Sequence, residues 1–392
     1  MTKQITLFLC FLTISWSIEA QQTVTGQVTN RENGDPIPET SVFIAHSTIS
    51  TYTDSLGFFS ITTPIQGSFM IVVSHLGFHS ASRTIDSPQT THHINIALQE
   101  NLLQEVVIDP CLPMRSRDET LFWREILGER PSNSGMQILN REVVRFCLTN
   151  IGILRVFADE PIEIINHHLG YRISYVLDRF EHNYNTGDTR ITGMPFFTEL
   201  TPSNERQRTN WERRRQTAYA VSFTRFIRVL YQEQLNEKGF LLVKVDPQDN
   251  SRWTALTRTQ GRDERSAFER NLFPERSTQN ITTPFSYEHV LQRDDESTVF
   301  TIQQLTMLAF IGSSVTNVMA EDLRELLFGR GATFPIVQFT PFNITIFPDG
   351  SFSGMLRIQD IRESVLSLNA LLPMEFGADR SIEILNAPLR RR

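Results

Sequence analysis

Cysteine is scarce in this chain of 392 residues, with three copies, of which Cys10 lies close to the N-terminus. The two others, Cys111 and Cys147, could form one disulfide, but one disulfide cannot define a cysteine-dependent scaffold. Their pairing stays open, because Cys147 also fits a buried apolar position in the alternating run 143–148. The fold must therefore depend on hydrophobic cores, and the length favours two domains.

Positively charged residues are fewer than negatively charged ones. The chain has 37 lysine and arginine residues against 44 aspartate and glutamate residues, which gives a net charge of −7. An acidic chain is poorly suited to non-specific binding of nucleic acid or anionic membranes. We therefore expect no nucleic-acid partner.

Long uninterrupted apolar runs are missing as well. The run Ile5–Trp16 follows Lys3 and precedes a small-residue stretch ending at Ala20, and it is shorter than the about 20 residues that a membrane span needs. This pattern is typical of a signal peptide, here residues 1–20. The later apolar segment Leu305–Ala320 is interrupted by polar residues and is expected to be a core element. We predict an exported protein, periplasmic or outer-membrane-associated, with no transmembrane span in the mature chain.

The motifs of the common enzyme classes are absent from the sequence. It has no HExxH zinc-peptidase motif, no G-x-S-x-G nucleophile elbow, no P-loop and no GxGxxG fingerprint. Its nine histidines include the adjacent pairs His92-His93 and His167-His168. Neighbours on a strand point to opposite faces, so neither pair is expected to hold one metal ion. We predict no enzyme activity, no cofactor and no metal.

Short strand-like runs fill the region from residue 22 to residue 100. Alternating segments such as Thr23–Val28 and Phe69–Val73 are separated by turn residues, with no helical period between them. In the turn after Thr53, the Asp54 carboxylate can accept from the backbone just ahead, while Gly57 can take a positive φ. This pattern predicts a small antiparallel β-sandwich.

This region contains a set of short motifs, Gly26-Gln27-Val28, Pro36–Val42, Thr53–Phe59, Ser74–Phe78 and, beyond the sandwich, Leu103–Ile108. Together they resemble the carboxypeptidase regulatory-like domain. The last of these is similar to the segment that follows the module in exported Bacteroidetes proteins. The resemblance covers residues 22–108. It implies a transthyretin-like, immunoglobulin-like sandwich that is an accessory or interaction module without catalytic residues.

A linker at 101–116 and a separate α+β domain at 117–392 are expected to follow the sandwich at 22–100. Strand-like runs between residues 138 and 200 predict an antiparallel meander. In the stretch Asn204–Glu237, apolar residues recur at spacings of three and four, which predicts one long amphipathic helix packed on the meander.

The second domain has its own set of motif positions, which include Phe122–Gly128, Pro161–Asn166, Leu169-Gly170-Tyr171, Trp211 and Arg215. Together they resemble a domain that follows the sandwich in uncharacterised Bacteroidetes proteins. Where that pattern has a histidine, this chain has Arg225. The resemblance implies an architecture and no reaction.

Several arginines surround the apolar face of the predicted helix. Those taken as candidate partner-binding residues are Arg213, Arg214, Arg215, Arg225 and Arg228. They can form a basic stripe that binds an anionic partner, or a solvated helix surface paired with nearby glutamates. Both interpretations stay open at this point.

The features combine into a hypothesis of a non-enzymatic cell-envelope protein. In it the sandwich is an accessory, and the α+β domain binds a protein or glycan partner. One alternative is a hydrolase with a site between the meander and the long helix, for which His167, His168, Tyr171 and Arg215 are the candidate residues. The other alternative is a purely structural envelope component. The oligomeric state is not predicted.

Overall fold

The computed structural model confirms the expected fold class of an N-terminal β-sandwich followed by an α+β part. It describes residues 21–86, 91–101, 111–112, 115–128, 135–187, 189–244, 287–293, 297–303, 306–310, 336–339, 342–353, 358–362, 368 and 370–377. The predicted signal peptide at 1–20 and most of the predicted linker lie outside these residues. Within the described parts, no helix is long and apolar enough to cross a bilayer.

Two sheets form the sandwich. The first has the order β4-β1-β7 and consists of β1 (Gln22–Asn30), β4 (Phe58–Thr63) and β7 (Thr91–Leu98). The second has the order β3-β2-β5-β6 and consists of β2 (Ser41–Ile44), β3 (Ser50–Tyr52), β5 (Phe69–Ser74) and β6 (Ala81–Ile85). The described strand pairs are antiparallel except β1 with β7, which is parallel. The predicted antiparallel sandwich is thus confirmed, with one parallel pair that arises because β7 enters the first sheet after a crossover from β6.

The sandwich core comes from strict alternation along the strands. In β1, every second residue is buried, and Val24 and Val28 are fully inaccessible. They pack with Phe59 and Ile61 of β4 and with the inner side chains of the second sheet. At the turn before β4, the Asp54 carboxylate accepts from the backbone amides of Leu56 and Phe58, both at 2.9 Å, as predicted.

Helix α1 (Ser116–Leu127) opens the second part of the chain. Its buried face, which includes Phe122, Trp123 and Ile126, packs into a core with the sheet described next. Gly128 ends the helix in the left-handed conformation, with φ 81°, and its amide donates to the carbonyl of Arg124. The start of α1 is fixed by Asp118, whose carboxylate accepts from the Arg115 amide at 2.9 Å.

A six-stranded antiparallel sheet follows, with a strand order that departs from a simple meander. Its strands are β8 (Met136–Ile138), β9 (Val144–Leu148), β10 (Ile153–Ala158), β11 (Ile162–Asn166), β12 (Tyr171–Asn183) and β13 (Thr189–Glu199). The order is β8-β11-β12-β10-β9, with β13 on the other edge of β12. Because β12 has 13 residues, its first half can pair with β11 and its second half with β10 along the same edge.

Cys111 and Cys147 form a disulfide, which settles the pairing that the sequence left open. Their Cα atoms are 4.9 Å apart. Beside the bridge, the Leu112 amide donates to the carbonyl of Leu148 at 2.8 Å. The residues just before α1 are therefore fixed to β9, an edge strand of the sheet.

The stretch predicted as one long helix forms two helices, α2 (Glu205–Ala220) and α3 (Phe223–Tyr231). The break lies at Val221 and Ser222. The Ser222 hydroxyl accepts from the amide of Arg225 at 3.1 Å, so it caps α3. Hydrophobic periodicity continues across this break, which is why spacing alone predicts a single helix.

A second core lies behind α3, between two four-stranded sheets. One consists of β14 (Phe240–Lys244), β17 (Thr306–Phe310), β18 (Ile336–Phe339) and β21 (Ile358–Arg362). The other consists of β15 (Leu291–Arg293), β16 (Thr298–Ile302), β19 (Phe342–Ile346) and β20 (Phe352–Ser353). Phe226 of α3 packs with Phe240 and Phe300, one from each sheet. The region expected to be one α+β domain thus contains two hydrophobic clusters.

Asp118 is expected to make folding sensitive to acid. Burial of its carboxyl raises the pKa, but hydrogen bonds from Tyr184 and Arg115 outweigh this effect, so the pKa lies below its usual value. The stabilisation is therefore complete at neutral pH and is lost as the pH falls through the folded-state pKa. Asp118→Asn should lower the free energy of unfolding by about 1–3 kcal/mol at pH 7.

Chemical denaturation between about pH 7 and pH 2 measures this effect. The wild type should lose stability more steeply than Asp118→Asn on acidification. Glu212→Gln, at an exposed position of α2, is the control and should follow the wild type. If the free energy of unfolding fell equally with pH in all three proteins, the role of Asp118 would be contradicted.

Removal of the disulfide should destabilise the protein. The bridge closes a loop with a sequence separation of 36, and closing such a loop stabilises a fold by about 2–4 kcal/mol. The double variant Cys111→Ser/Cys147→Ser should therefore unfold at lower urea concentration than the wild type. A reductant should shift the wild type toward the variant and leave the variant unchanged. Identical midpoints would show that the bridge adds no stability.

Candidate functional site

The candidate hydrolase residues surround a tight turn, Asn166–Gly170, which connects β11 to β12. The buried Asn166 side chain shapes the turn, since its oxygen accepts from the amides of His168 at 3.0 Å and Leu169 at 2.9 Å. Helix α2 then covers the turn. Its Trp211 indole donates to the carbonyl of His167 at 2.9 Å.

Arg215 joins the same turn to α2. Its Nε donates to the carbonyl of Leu169 at 2.7 Å and its Nη2 to that of Gly170 at 3.0 Å. Its Nη1 lies 3.1 Å from the Glu199 carboxylate, and the guanidinium carbon is 4.0 Å from the centre of the Tyr171 ring. These contacts combine charge-assisted hydrogen bonds with a cation–π contact. Arg215 therefore acts as a structural clamp.

Gly170 is required by this clamp. Its φ is 74°, and a Cβ built on it would lie 2.3 Å from the Trp211 ring. No other residue could bring the turn so close to α2. The Leu169-Gly170-Tyr171 motif is thus explained by packing.

The hydrolase candidates are neighbours in space but do not converge on a cavity. Tyr171 is 1% exposed, and burial raises the pKa of its hydroxyl above the usual value, so the hydroxyl is held in its protonated form. His167 and His168 are exposed on the outer side of the turn. The His167 Nε2 lies 3.1 Å from the Gln137 amide oxygen. Across the described residues, no group of three His, Cys, Asp or Glu side chains is placed to hold a metal ion.

The structure corrects the expected basic stripe, because Arg215, Arg225 and Arg228 are at least 92% buried. The spacing of apolar residues between 204 and 237 predicts one long helix, with all three arginines around its apolar face. In the structure, Arg225 donates to the carbonyls of Ala220 at 2.5 Å and Lys238 at 3.2 Å. Burial lowers the pKa of its guanidinium. Arg225 joins the end of α2 to the turn that follows α3.

Arg228 makes the most extensive set of contacts of the three. Its Nε donates to the carbonyl of Asp349 at 2.8 Å, and its Nη2 donates to that of Met374 at 3.0 Å. Its Nη1 donates to the Tyr219 hydroxyl at 2.7 Å and to the carbonyl of Phe376 at 2.9 Å. One side chain therefore fixes two turns of the C-terminal part, 347–351 and 373–377, to α3.

The sandwich is docked on the first of these turns. The Gln66 amide donates to the Asp349 carboxylate at 3.0 Å, and the Gly67 amide donates to the Ser351 hydroxyl at 2.8 Å. A Cβ at Gly67 would lie 2.7 Å from that hydroxyl. The close approach of the two backbones therefore requires glycine.

The second turn receives the loop between β2 and β3. The Met374 amide donates to the carbonyl of His46 at 2.8 Å, and the Thr48 amide donates to the Glu375 carboxylate at 2.5 Å. Beside this contact, Phe43 of the sandwich lies 5.0 Å from Phe196 of β13, between ring centres. Val72 of the sandwich packs in the same cluster with Val176 and Met194 of the sheet. The interface thus has an apolar centre and hydrogen-bonded turns.

A cavity of about 170 Å³ opens beside this interface. His79, Ser80 and Ser82 of the sandwich form one side. The other side comes from β12, β13 and the end of β10 with the turn that follows it, and it includes Asp159 and Glu160 of that turn and Asp178 of β12. No sequence pattern indicates this cavity, because its walls come from distant parts of the chain that only the docked arrangement brings together.

Of the five candidate arginines, Arg213 and Arg214 reach solvent. Arg213 Nη2 lies 3.4 Å from the Asn210 amide oxygen, and Arg214 Nη1 lies 3.3 Å from the carbonyl of His168. A partner-binding role stays a prediction for these two residues. For the three buried arginines, the surface role is withdrawn.

The N-terminal geometry agrees with a known family. Residues 24–108 match the family model described as CarboxypepD_reg-like domain. The N-terminal module is a CarboxypepD_reg-like domain. Such domains are non-catalytic and immunoglobulin-like. No curated protein matches the chain.

Solved structures show only remote similarity to this chain. A DUF3823 family protein from Parabacteroides merdae is 10% identical, with 45% of this chain and 80% of that chain covered and a TM-score of 0.18. A protein of unknown function from Bacteroides fragilis is 11% identical, with 85% of this chain and 99% of that chain covered and a TM-score of 0.17. A cohesin–X-dockerin complex from Acetivibrio cellulolyticus is 20% identical over 20% of this chain, with a TM-score of 0.18, and the match spans 56% of that chain's length. Scores of this size carry no argument about function.

Replacement of Arg228 should loosen the docked sandwich. In Arg228→Leu, three carbonyls and the Tyr219 hydroxyl lose their donor inside the protein, which should cost at least about 3 kcal/mol of unfolding free energy. The amides of Gly67 and Thr48 should exchange hydrogen faster, because the turns that hold them are no longer fixed. Arg208→Leu, at an exposed position of α2, is the matched control. Unchanged exchange at both amides would contradict this account of Arg228.

Proposed function

We propose that this protein is a non-enzymatic, exported cell-envelope protein that binds an envelope protein or glycan through its second part. The observation that carries the proposal is the exposed basic surface of α2. We call it the basic flank and define it as Arg206, Arg213 and Arg214 of α2. The turn that carries His167 and His168 lies beside it, in contact with Arg214.

The use of the buried polar side chains supports a binding role over a catalytic one. Arg215 and Arg228 direct their guanidinium groups at backbone carbonyls. A hydrolase would need Tyr171 or Arg215 to face a substrate, yet both are buried between α2 and β12. The His167 ring faces solvent, and its Nε2 lies 3.1 Å from the amide oxygen of Gln137, a neutral group that supplies no negative charge to orient a catalytic base.

The docking of the sandwich supports its role as a rigid accessory. Hydrogen bonds from three consecutive residues, Gln66–Ser68, hold it to the turn at 349–353. A domain held at two turns and an apolar centre keeps a fixed orientation. The sandwich therefore keeps a fixed position relative to the second part of the chain.

Cosedimentation with isolated envelope fractions tests this proposal. The purified protein should sediment with an outer-membrane or cell-wall fraction, and Arg213→Glu/Arg214→Glu should reduce the bound fraction at least about tenfold through charge reversal. Arg208→Glu, an exposed arginine of the same helix, should bind as the wild type does.

Two results would oppose the proposal. If neither fraction retains the wild type, the binding role fails and a purely structural component is favoured. If the double variant binds as well as the wild type, the partner contacts another surface and the basic flank has no role.

A further inference from the structure

Charges of opposite sign are segregated around α2. With 3.6 residues per turn, Arg206 and Arg213 lie on the same side of the helix, about 10 Å apart along its axis, and Arg214 lies about 80–100° from them around the helix. Glu205 and Glu212 lie about 80–120° from Arg206 and Arg213 in the opposite direction, so the side that carries Arg214 is the one away from the glutamates. Arg208 lies on their side, with its guanidinium 3.3 Å from the Glu205 carboxylate. One side of α2 thus carries Glu205, Glu212 and Arg208, and we call it the paired side. The basic flank lies away from it.

The arginines of the basic flank have no acidic partner within the described parts of the chain. Ten ion pairs are formed there, and none includes Arg206, Arg213 or Arg214. In a chain with a net charge of −7, carboxylates are plentiful elsewhere. Like charges placed together repel one another, so an anionic ligand would stabilise this surface.

We infer that the basic flank binds a linear acidic polysaccharide. The inference rests on the proposed function and names the partner of the same surface. A separation of about 10 Å between Arg206 and Arg213 is too long for one anionic group and suits a chain with repeated ones. Guanidinium groups pair with carboxylates, as with phosphates, through two parallel hydrogen bonds, so the carboxylates of acidic sugars are suitable ligands.

The neighbours of the flank favour a polysaccharide over other polyanions. The aromatic residues of α2, Trp211 and Tyr219, are buried on its inner side and offer no platform for stacking nucleic-acid bases. No large apolar side chain of α2 is exposed that could insert into a lipid bilayer. Instead, Asn210 and Thr217 lie beside the arginines. The Thr217 hydroxyl donates to the carbonyl of Arg213 and the Asn210 oxygen accepts from its guanidinium, so the Thr217 oxygen can still accept from sugar hydroxyls and the Asn210 amide nitrogen can still donate to them.

Titration of the purified protein with polygalacturonate tests the inference, with neutral dextran of similar size as the comparison polymer. The wild type should bind polygalacturonate and not dextran. The triple variant Arg206→Gln/Arg213→Gln/Arg214→Gln should bind at least about tenfold more weakly, and the dependence of its affinity on salt should be reduced, because fewer counterions are displaced. Thermal unfolding of the variants confirms that the fold is intact.

The matched control is Arg208→Gln, which makes the same change on the paired side of the same helix. Its affinity for polygalacturonate should stay within about twofold of the wild type, since its charge is already neutralised by Glu205. Equal losses in the triple variant and in Arg208→Gln would overturn the inference, because they would indicate a response to overall charge.

Three further outcomes would also overturn it. They are equal binding of dextran and polygalacturonate, tighter binding of duplex DNA, and tighter binding of phosphatidylglycerol vesicles. If the protein still sediments with an envelope fraction in a manner that depends on Arg213 and Arg214, the polysaccharide assignment fails while the proposed function stands. If neither experiment shows binding, both fail.

Discussion

The buried guanidinium of Arg228 is the interaction on which the arrangement of the domains depends. It is 2% exposed and donates to three backbone carbonyls and one tyrosine hydroxyl. The carbonyls belong to the two turns that receive the sandwich. Lysine could not replace it, because one ammonium on a flexible stem cannot reach partners that a planar fork of five donors reaches at once. The position of the sandwich is therefore set from inside the second part of the chain.

A charge can be buried here without a carboxylate because its partners are backbone dipoles. Removing a guanidinium from water is costly unless its N–H groups are satisfied. Arg228 donates to three carbonyls and contacts the Tyr219 ring. Arg215 donates to two carbonyls, contacts the Tyr171 ring and, unlike Arg228, also pairs with the Glu199 carboxylate. The same arrangement satisfies carbonyls in tight turns, which regular secondary structure leaves unpaired. Each arginine thus stabilises an irregular segment that helices and sheets alone could not.

Local patterns in the sequence predicted the features that depend on local physics. Alternation predicted the sandwich, and the turn at Asp54 has the expected hydrogen bonds. The partners of Arg228 could not be predicted, because its carbonyl acceptors lie 121 to 148 residues away in the chain. The break between α2 and α3 was missed for another reason: Ser222 is a common helix cap, but the apolar spacing continues across it. The strand order was missed because β12 takes two partners along one edge.

The run Arg213-Arg214-Arg215 shows why arginine clusters need a structure before they are assigned a role. Successive helical residues are turned by about 100°, so Arg213 faces solvent while Arg215 faces the turn beneath α2. Loss of partner binding after substitution of Arg215 would follow from a loosened Leu169-Gly170 turn and would say nothing about ligand contact. The same loss at Arg213 is not expected to arise in that way, because its side chain is exposed and its guanidinium lies beside Asn210 of the same helix. A scan of this helix therefore distinguishes a binding surface from a structural clamp only when stability and affinity are measured on the same variants.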